Sequence, residues 1–236
     1  MNAYFSIGTT TPIAEIKTAL QTQYGSENVT VHYESTAYLI FSCTYISEKV
    51  IKILWSTTIR CYYGDAYSSG ATITNEVQFL GYPTGTASVI HLVLGDSFFY
   101  LVFLSSSTNS GVAIIAKLTN NNYVCVGFLG SSSYAIYTRG RDTTDSEDIV
   151  ISTLDKGFVN SLSKLYKQPL IFVKASGIIE ETSGGELATI SGLYNVSYTT
   201  GSAAVLVKGT NYLMSPCRLY MSDSQTYVNT CLFAEW

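Results

Sequence analysis

Phe98-Phe99-Tyr100-Leu101-Val102-Phe103-Leu104 decides how this chain reads. Aromatic and β-branched side chains suit a pleated surface, and the run does not alternate between apolar and polar residues. A strand that is apolar on both faces is buried on both faces. Ile114 and Ile115 stand side by side further on and repeat the pattern. The strand therefore needs cover on its second side, from a second sheet, from a helix or from another subunit.

The surroundings of the run have the same character. Between Val77 and Thr138, 62 residues carry two charges, Asp96 and Lys117. Turn signals punctuate the stretch: Gly81-Tyr82-Pro83, Gly95-Asp96, the run from Ser105 to Ser110 with Gly111, Asn120-Asn121-Asn122 and Gly130-Ser131-Ser132. The segments between them are strand-like: Ala87–Leu94, Ser97–Leu104, Val112–Leu118, Tyr123–Leu129 and Tyr134–Thr138. This is the pattern of a meander of antiparallel hairpins.

Upstream, the spacing predicts one helix. Thr10 or Thr11 is placed to cap it, Pro12 suits its first position, Ile13, Ile16, Leu20 and Tyr24 share a face, and Gly25 ends it. From Asn28 the period changes to two, with Val29, Val31 and Tyr33 alternating with polar neighbours. Strands are expected over Ala37–Cys43, over Lys49–Tyr63 with a break near Trp55, and over Thr72–Leu80, with a loop from Gly64 to Gly70.

Downstream, Arg139-Gly140-Arg141-Asp142-Thr143-Thr144-Asp145-Ser146-Glu147-Asp148 holds six charges in ten residues, and reads as a boundary or an exposed loop. Phe158, Leu162 and Leu165 then suggest a short helix ending before Pro169. Strands return at Leu170–Ala175, Leu187–Ser191, Tyr194–Tyr198, Ala203–Val207, Tyr212–Met214 and Cys231–Ala234, with glycines such as Gly192 marking turns. The expected fold is mainly β with a minor α component: an antiparallel meander or β-sandwich, an N-terminal helix and a small C-terminal β module. Its divisions are residues 1–138 for the helix and antiparallel domain, 139–168 for the charged loop and short helix, and 169–236 for the C-terminal module.

Composition narrows the function classes. Hydrophobic residues make up 47% of the chain and charged ones 13%, against about 25% charged in typical domains. That argues against disorder and for surface that meets protein. With 13 Lys plus Arg, no basic run and a net charge of −4, binding to nucleic acid is not expected. Val89–Leu104 is too short and too interrupted for a membrane-spanning helix, and the first residues lack the pattern of a secretory signal. The 19 tyrosines suit sheet packing first, and interfaces or a glycan surface second.

Candidate chemistry is sparse. His32 and His91 lie in different strands, and neither has a ligand-type partner at close spacing. Thr182-Ser183-Gly184-Gly185-Glu186 has the composition of a hairpin turn rather than a serine site. Asp142, Asp145, Glu147 and Asp148 offer oxygens for a hard cation, but not at EF-hand spacing, and pairing with Arg139 and Arg141 is the simpler reading. Cys43, Cys61, Cys125, Cys217 and Cys231 are odd in number and scattered, so free thiols are expected rather than disulfides or zinc. Asn28-Val29-Thr30 and Asn195-Val196-Ser197 match the glycosylation sequon. No catalytic, cofactor-binding or metal-binding residue is assigned, and no cofactor is expected.

Three stretches resemble structural proteins of tailed-bacteriophage virions. They are the charge-poor, Ser/Thr/Asn/Tyr-rich meander from Thr86 to Thr138, the stretch Leu193-Tyr194-Asn195-Val196-Ser197-Tyr198 leading to Val205–Leu213, and the closing strand Cys231-Leu232-Phe233-Ala234-Glu235-Trp236. The second stretch is similar to small terminal β modules of tail, baseplate and neck components. The resemblance implies a non-enzymatic virion subunit in several copies, assembled in the host cytoplasm with other virion proteins. Two other readings are carried forward: a receptor- or glycan-binding module using Tyr rings such as Tyr67 in Ala66-Tyr67-Ser68, and a hydrolase with dispersed carboxylates.

Overall fold

The computed structural model describes residues 1–56, 58–83, 89–106, 109–117, 123–131, 139–142, 148–152, 168–174, 189–197, 212–221 and 226–235. In chain order the elements begin with β1 (Ala3–Ile7), α1 (Pro12–Tyr24), β2 (Thr30–Glu34), β3 (Tyr38–Ser42), β4 (Val50–Trp55) and β5 (Thr58–Gly64). A small hairpin, β6 (Tyr67–Ser69) and β7 (Thr72–Ile73), precedes β8 (Val77–Pro83). The meander follows as β9 (Val89–Leu94), β10 (Phe98–Ser106), β11 (Asn109–Lys117) and β12 (Tyr123–Ser131). The last strands are β13 (Arg139–Asp142), β14 (Asp148–Ser152), β15 (Gln168–Lys174), β16 (Thr189–Ser197), β17 (Tyr212–Met221) and β18 (Thr226–Glu235).

The protein is mainly β and its sheets are antiparallel. An eleven-stranded sheet runs in the order β1-β9-β10-β11-β12-β13-β14-β15-β16-β18-β17, and a five-stranded sheet in the order β2-β3-β4-β5-β8. Strands β9 to β12 pair in sequence, as the turn signals between them predict. The inner faces of the two sheets meet in one core. Leu39, Phe41, Ile51, Ile53, Ile59 and Cys61 of the smaller sheet lie against Leu92, Leu94, Phe99, Leu101, Phe103 and Ile115 of the larger. Tilted ring pairs cross the interface, Phe41 on Phe99 and Trp55 on Phe103, with centroids 6.5 and 6.3 Å apart.

Helix α1 adds Ile13, Ile16 and Leu20 to the same core. Thr11 is its N-cap residue, with Pro12 in the first turn, and Gly25 closes it at a φ of 86°, where glycine avoids the Cβ clash. Thr11 makes no side-chain capping bond to the helix backbone; its hydroxyl donates to Glu15 instead. The Tyr24 hydroxyl reaches the carbonyls of Gly95 and Phe98, at 2.8 and 2.9 Å, and so ties the last turn to the β9–β10 hairpin.

The double-sided run behaves as its composition requires. Phe99, Leu101 and Phe103 enter the shared core, while Phe98, Tyr100, Val102, Val112 and Ile114 point the other way and are equally buried. Their cover comes from within this one chain. The far end of the large sheet returns toward the meander, where β17 touches β11 and β12.

The residues before the helix, for which no element was expected, form a strand, β1, which pairs with β9. Several expectations are corrected. The expected loop from Gly64 to Gly70 contains β6, and the expected strand Thr72–Leu80 is divided between β7 and β8. Gly81-Tyr82-Pro83 is not a turn but the end of β8, paired with β5. Gly192 likewise lies inside β16, which runs unbroken where two strands were expected. The charged run is not a loop throughout: its ends are β13 and β14, and the large sheet continues across it. Backbone pairing there overrides the low strand preference of charged residues. β17 and β18 also extend well beyond the expected Tyr212–Met214 and Cys231–Ala234. The expected helix around Phe158–Leu165 and the strands Tyr134–Thr138 and Ala203–Val207 lie outside the described residues.

Candidate functional site: the outer face of the five-stranded sheet

The inner face of the five-stranded sheet is core, so its chemistry lies on the outer face. Register sets the rows. Ile40 pairs with Lys52 and Lys52 with Tyr62, while Tyr38 pairs with Leu54 and Leu54 with Arg60. Side chains at paired positions share a face. Lys52 is thus placed in the middle of an aromatic face, where its ammonium sits 5.0 Å from the Tyr62 ring centroid and 5.7 Å from that of Tyr38. Glu76, in the turn before β8, closes the group with an ion pair of 2.7 Å to Lys52. The Lys52 side chain is only 11% exposed. Its charge is therefore held by a carboxylate and two ring faces in place of water.

The β6–β7 hairpin folds over one end of this face. Ile73 and Tyr67 pack against Ile40, Val50 and Tyr62. Tyr67 stacks on His32, with centroids 5.2 Å apart and planes 13° from parallel. Asp65 anchors the base of the hairpin: its carboxylate accepts from Lys49 at 2.9 Å and from Asn75 at 2.6 Å. The Lys49 hydrogen bond and then that from Asn75 hold the Asp65 carboxyl below its usual range. The ring singled out for a glycan surface is therefore half-buried and packed on a histidine.

The histidines are not brought together. His32 belongs to the five-stranded sheet, where its Nε2 lies 2.8 Å from the Ser42 hydroxyl. His91 belongs to the eleven-stranded sheet, where its Nδ1 lies 2.6 Å from the Tyr4 hydroxyl. Of the loop acids, Asp145 and Glu147 lie outside the described residues, as do the side chains of Asp142 and Asp148. Thr182–Glu186 lies outside them too. Among the described residues no group of three or more His, Cys, Asp and Glu is gathered to hold a metal ion. Cys43, Cys61 and Cys125 are free and buried, and burial pushes all three thiols up. A raised thiol is a poor nucleophile at neutral pH. No described helix is long and apolar enough to cross a membrane.

The Lys52 group was not legible in the sequence. Lys52 sits inside a β-branched run and Glu76 follows 24 residues later, beyond a hairpin. The alternation of Ile51 and Ile53 with Lys52 and Leu54 was the available signal. Compared with known proteins, the chain matches no family model and no curated protein.

Proposed function

We propose that the chain is a structural subunit, not an enzyme, that assembles in several copies and with other components in a particle of the tailed-phage virion kind. The observation that carries this reading is the open form of the large sheet. Among the described residues it does not close into a barrel: β1 and β17 stand at its two ends, each with one described neighbour in the sheet. An edge strand presents unpaired backbone donors and acceptors, a template for another chain. The low charge of the sequence favours contact with protein over water. The double-sided meander gives this reading no support, because the chain itself covers both faces.

Size-exclusion chromatography with light scattering, followed by electron microscopy of the purified chain alone and mixed with particle components, tests the reading. Discrete multimers or incorporation into a particle are expected. A chain that stays monomeric over a wide concentration range and joins no other component would overturn it.

A further inference from the structure

Four strands stand at the ends of the two large sheets: β1, β17, β2 and β8. Three carry features that discourage further pairing. In β2, His32 is an extra residue opposite β3, a bulge, and Glu34 ends the strand. In β8, Phe79 is the extra residue opposite β5, and Pro83 removes a donor. β17 contains Pro216 and Arg218. Bulges, prolines and charges are the usual guards of an edge. β1 has none of them: Ala3-Tyr4-Phe5-Ser6-Ile7 is neutral, free of proline and paired with β9 in unbroken register.

An open groove of about 470 Å³ runs beside this strand. Residues 4–7 of β1 form one wall and α1 forms the other. The helix contributes the exposed ridge Ala14, Thr18 and Thr22, spaced by four. Both threonine hydroxyls donate back to helix carbonyls, those of Ala14 and Thr18, so the ridge makes little polar demand on an occupant. Among the described residues of the lining, Glu15 is the sole charged one. Its carboxylate already accepts from the Gly8 amide at 2.6 Å and from the Thr11 hydroxyl at 3.0 Å, which fixes its position.

We propose that the groove between β1 and α1 binds an extended segment of another protein, which adds to β1 as a further antiparallel or parallel strand and places a basic side chain near Glu15. The backbone edge demands an extended occupant. Glu15, the one charge among the described lining residues, selects a cationic one. This rests on the assembling reading above, and names the edge and the partner chemistry. A second copy docking through its own β1 would bring a second helix to a groove already walled by one.

The probe is a blocked hexapeptide, Thr-Val-Lys-Val-Thr-Val, with two relatives: one with Glu in place of Lys, and one N-methylated at alternate residues so that it cannot extend a ladder. Amide chemical shifts and fluorescence anisotropy read binding to the full chain. The lysine peptide is expected to shift amides of β1 and α1. The glutamate peptide should bind about tenfold more weakly, and the N-methylated one should not bind. Thr18→Tyr, which fills the groove from an exposed helix position, should abolish binding without moving the unfolding midpoint. Glu15→Gln should bring the lysine and glutamate peptides to equal affinity. Absence of shifts in β1, or equal binding of the two charged peptides by the unaltered chain, overturns the proposal. So does a dimer that Ser6→Lys dissolves in a chain blind to peptide, because the occupant is then a second copy. A chain that assembles but ignores the peptides sinks this proposal alone. One that captures the lysine peptide but never assembles sinks the assembling reading alone.

Discussion

Lys52 shows how one buried charge constrains its neighbours. Its ammonium depends on Glu76 at 2.7 Å and on the rings of Tyr38 and Tyr62. Removing the carboxylate leaves a nearly buried cation unpaired, whereas removing the cation leaves a slot that an unbranched apolar chain can fill. Glu76→Ala should therefore cost about 1–3 kcal/mol, and Lys52→Met less than about 1 kcal/mol. Urea unfolding of both variants checks the order. A larger loss for Lys52→Met would show that the ammonium itself holds the face together. This asymmetry is hidden in the sequence. The tyrosines were legible as sheet residues, but which tyrosine faces which lysine depends on the register of three strands, and a one-residue slip turns every side chain over.

Among the elements, α1 and β1 contrast in how far they could be read. The helix was legible because its signals are local: Pro12 at the start, Gly25 at the end, and Ile13, Ile16, Leu20 and Tyr24 on one face. β1 was not, because its five residues pair with Leu94 back to Ile90, and a partner so distant leaves no local trace. The same reason explains β6 and the end of β8, where pairing fixes a conformation that glycine, serine and proline seldom choose alone. The docking of the helix is open to a single-atom test. Tyr24 is buried, and burial drives its hydroxyl far above the ordinary tyrosine range, so it stays a donor at any working pH. Tyr24→Phe keeps the ring and deletes the bond to Gly95 and Phe98. It should cost about 1 kcal/mol and lower the melting temperature by roughly 2–4 °C. Amide exchange should quicken in the last turn of α1. An unchanged melt would mean that apolar contacts alone seat the helix.

For the whole molecule, the approach of the two sheets is set at one point by a missing side chain. A Cβ on Gly127 of β12 would strike the Phe79 carbonyl oxygen and crowd Leu80 of β8. The backbones there are too close for any larger residue, and backbone does not rotate away as a side chain does. Gly127→Ala should cost about 1–3 kcal/mol, read by urea unfolding. A neutral result would show that β8 can withdraw from the meander. The mainly β class and the β9–β12 meander were legible, because regular turn residues cut the stretch into strand lengths. The demand for cover on both faces was legible too. What supplies that cover was not. A second sheet, a helix and another subunit were all open as its source, because contacts as distant as those of β17 with β11 and β12 leave no local trace.

The pairing of β1 with β9 also has a consequence in time. α1 and the five-stranded sheet lie between these strands in the chain, within residues 12–83. A ribosome adding ~5–20 residues per second takes roughly 4–17 s to pass from Ile7 to Leu94. For that interval β1 is a neutral, aromatic strand with neither sheet edge satisfied, while the helix beside it already has a sheet to dock on. Nascent chains on neighbouring ribosomes expose the same segment at the same stage. Crowding of these exposed segments should therefore lower the fraction of copies that reach the folded state.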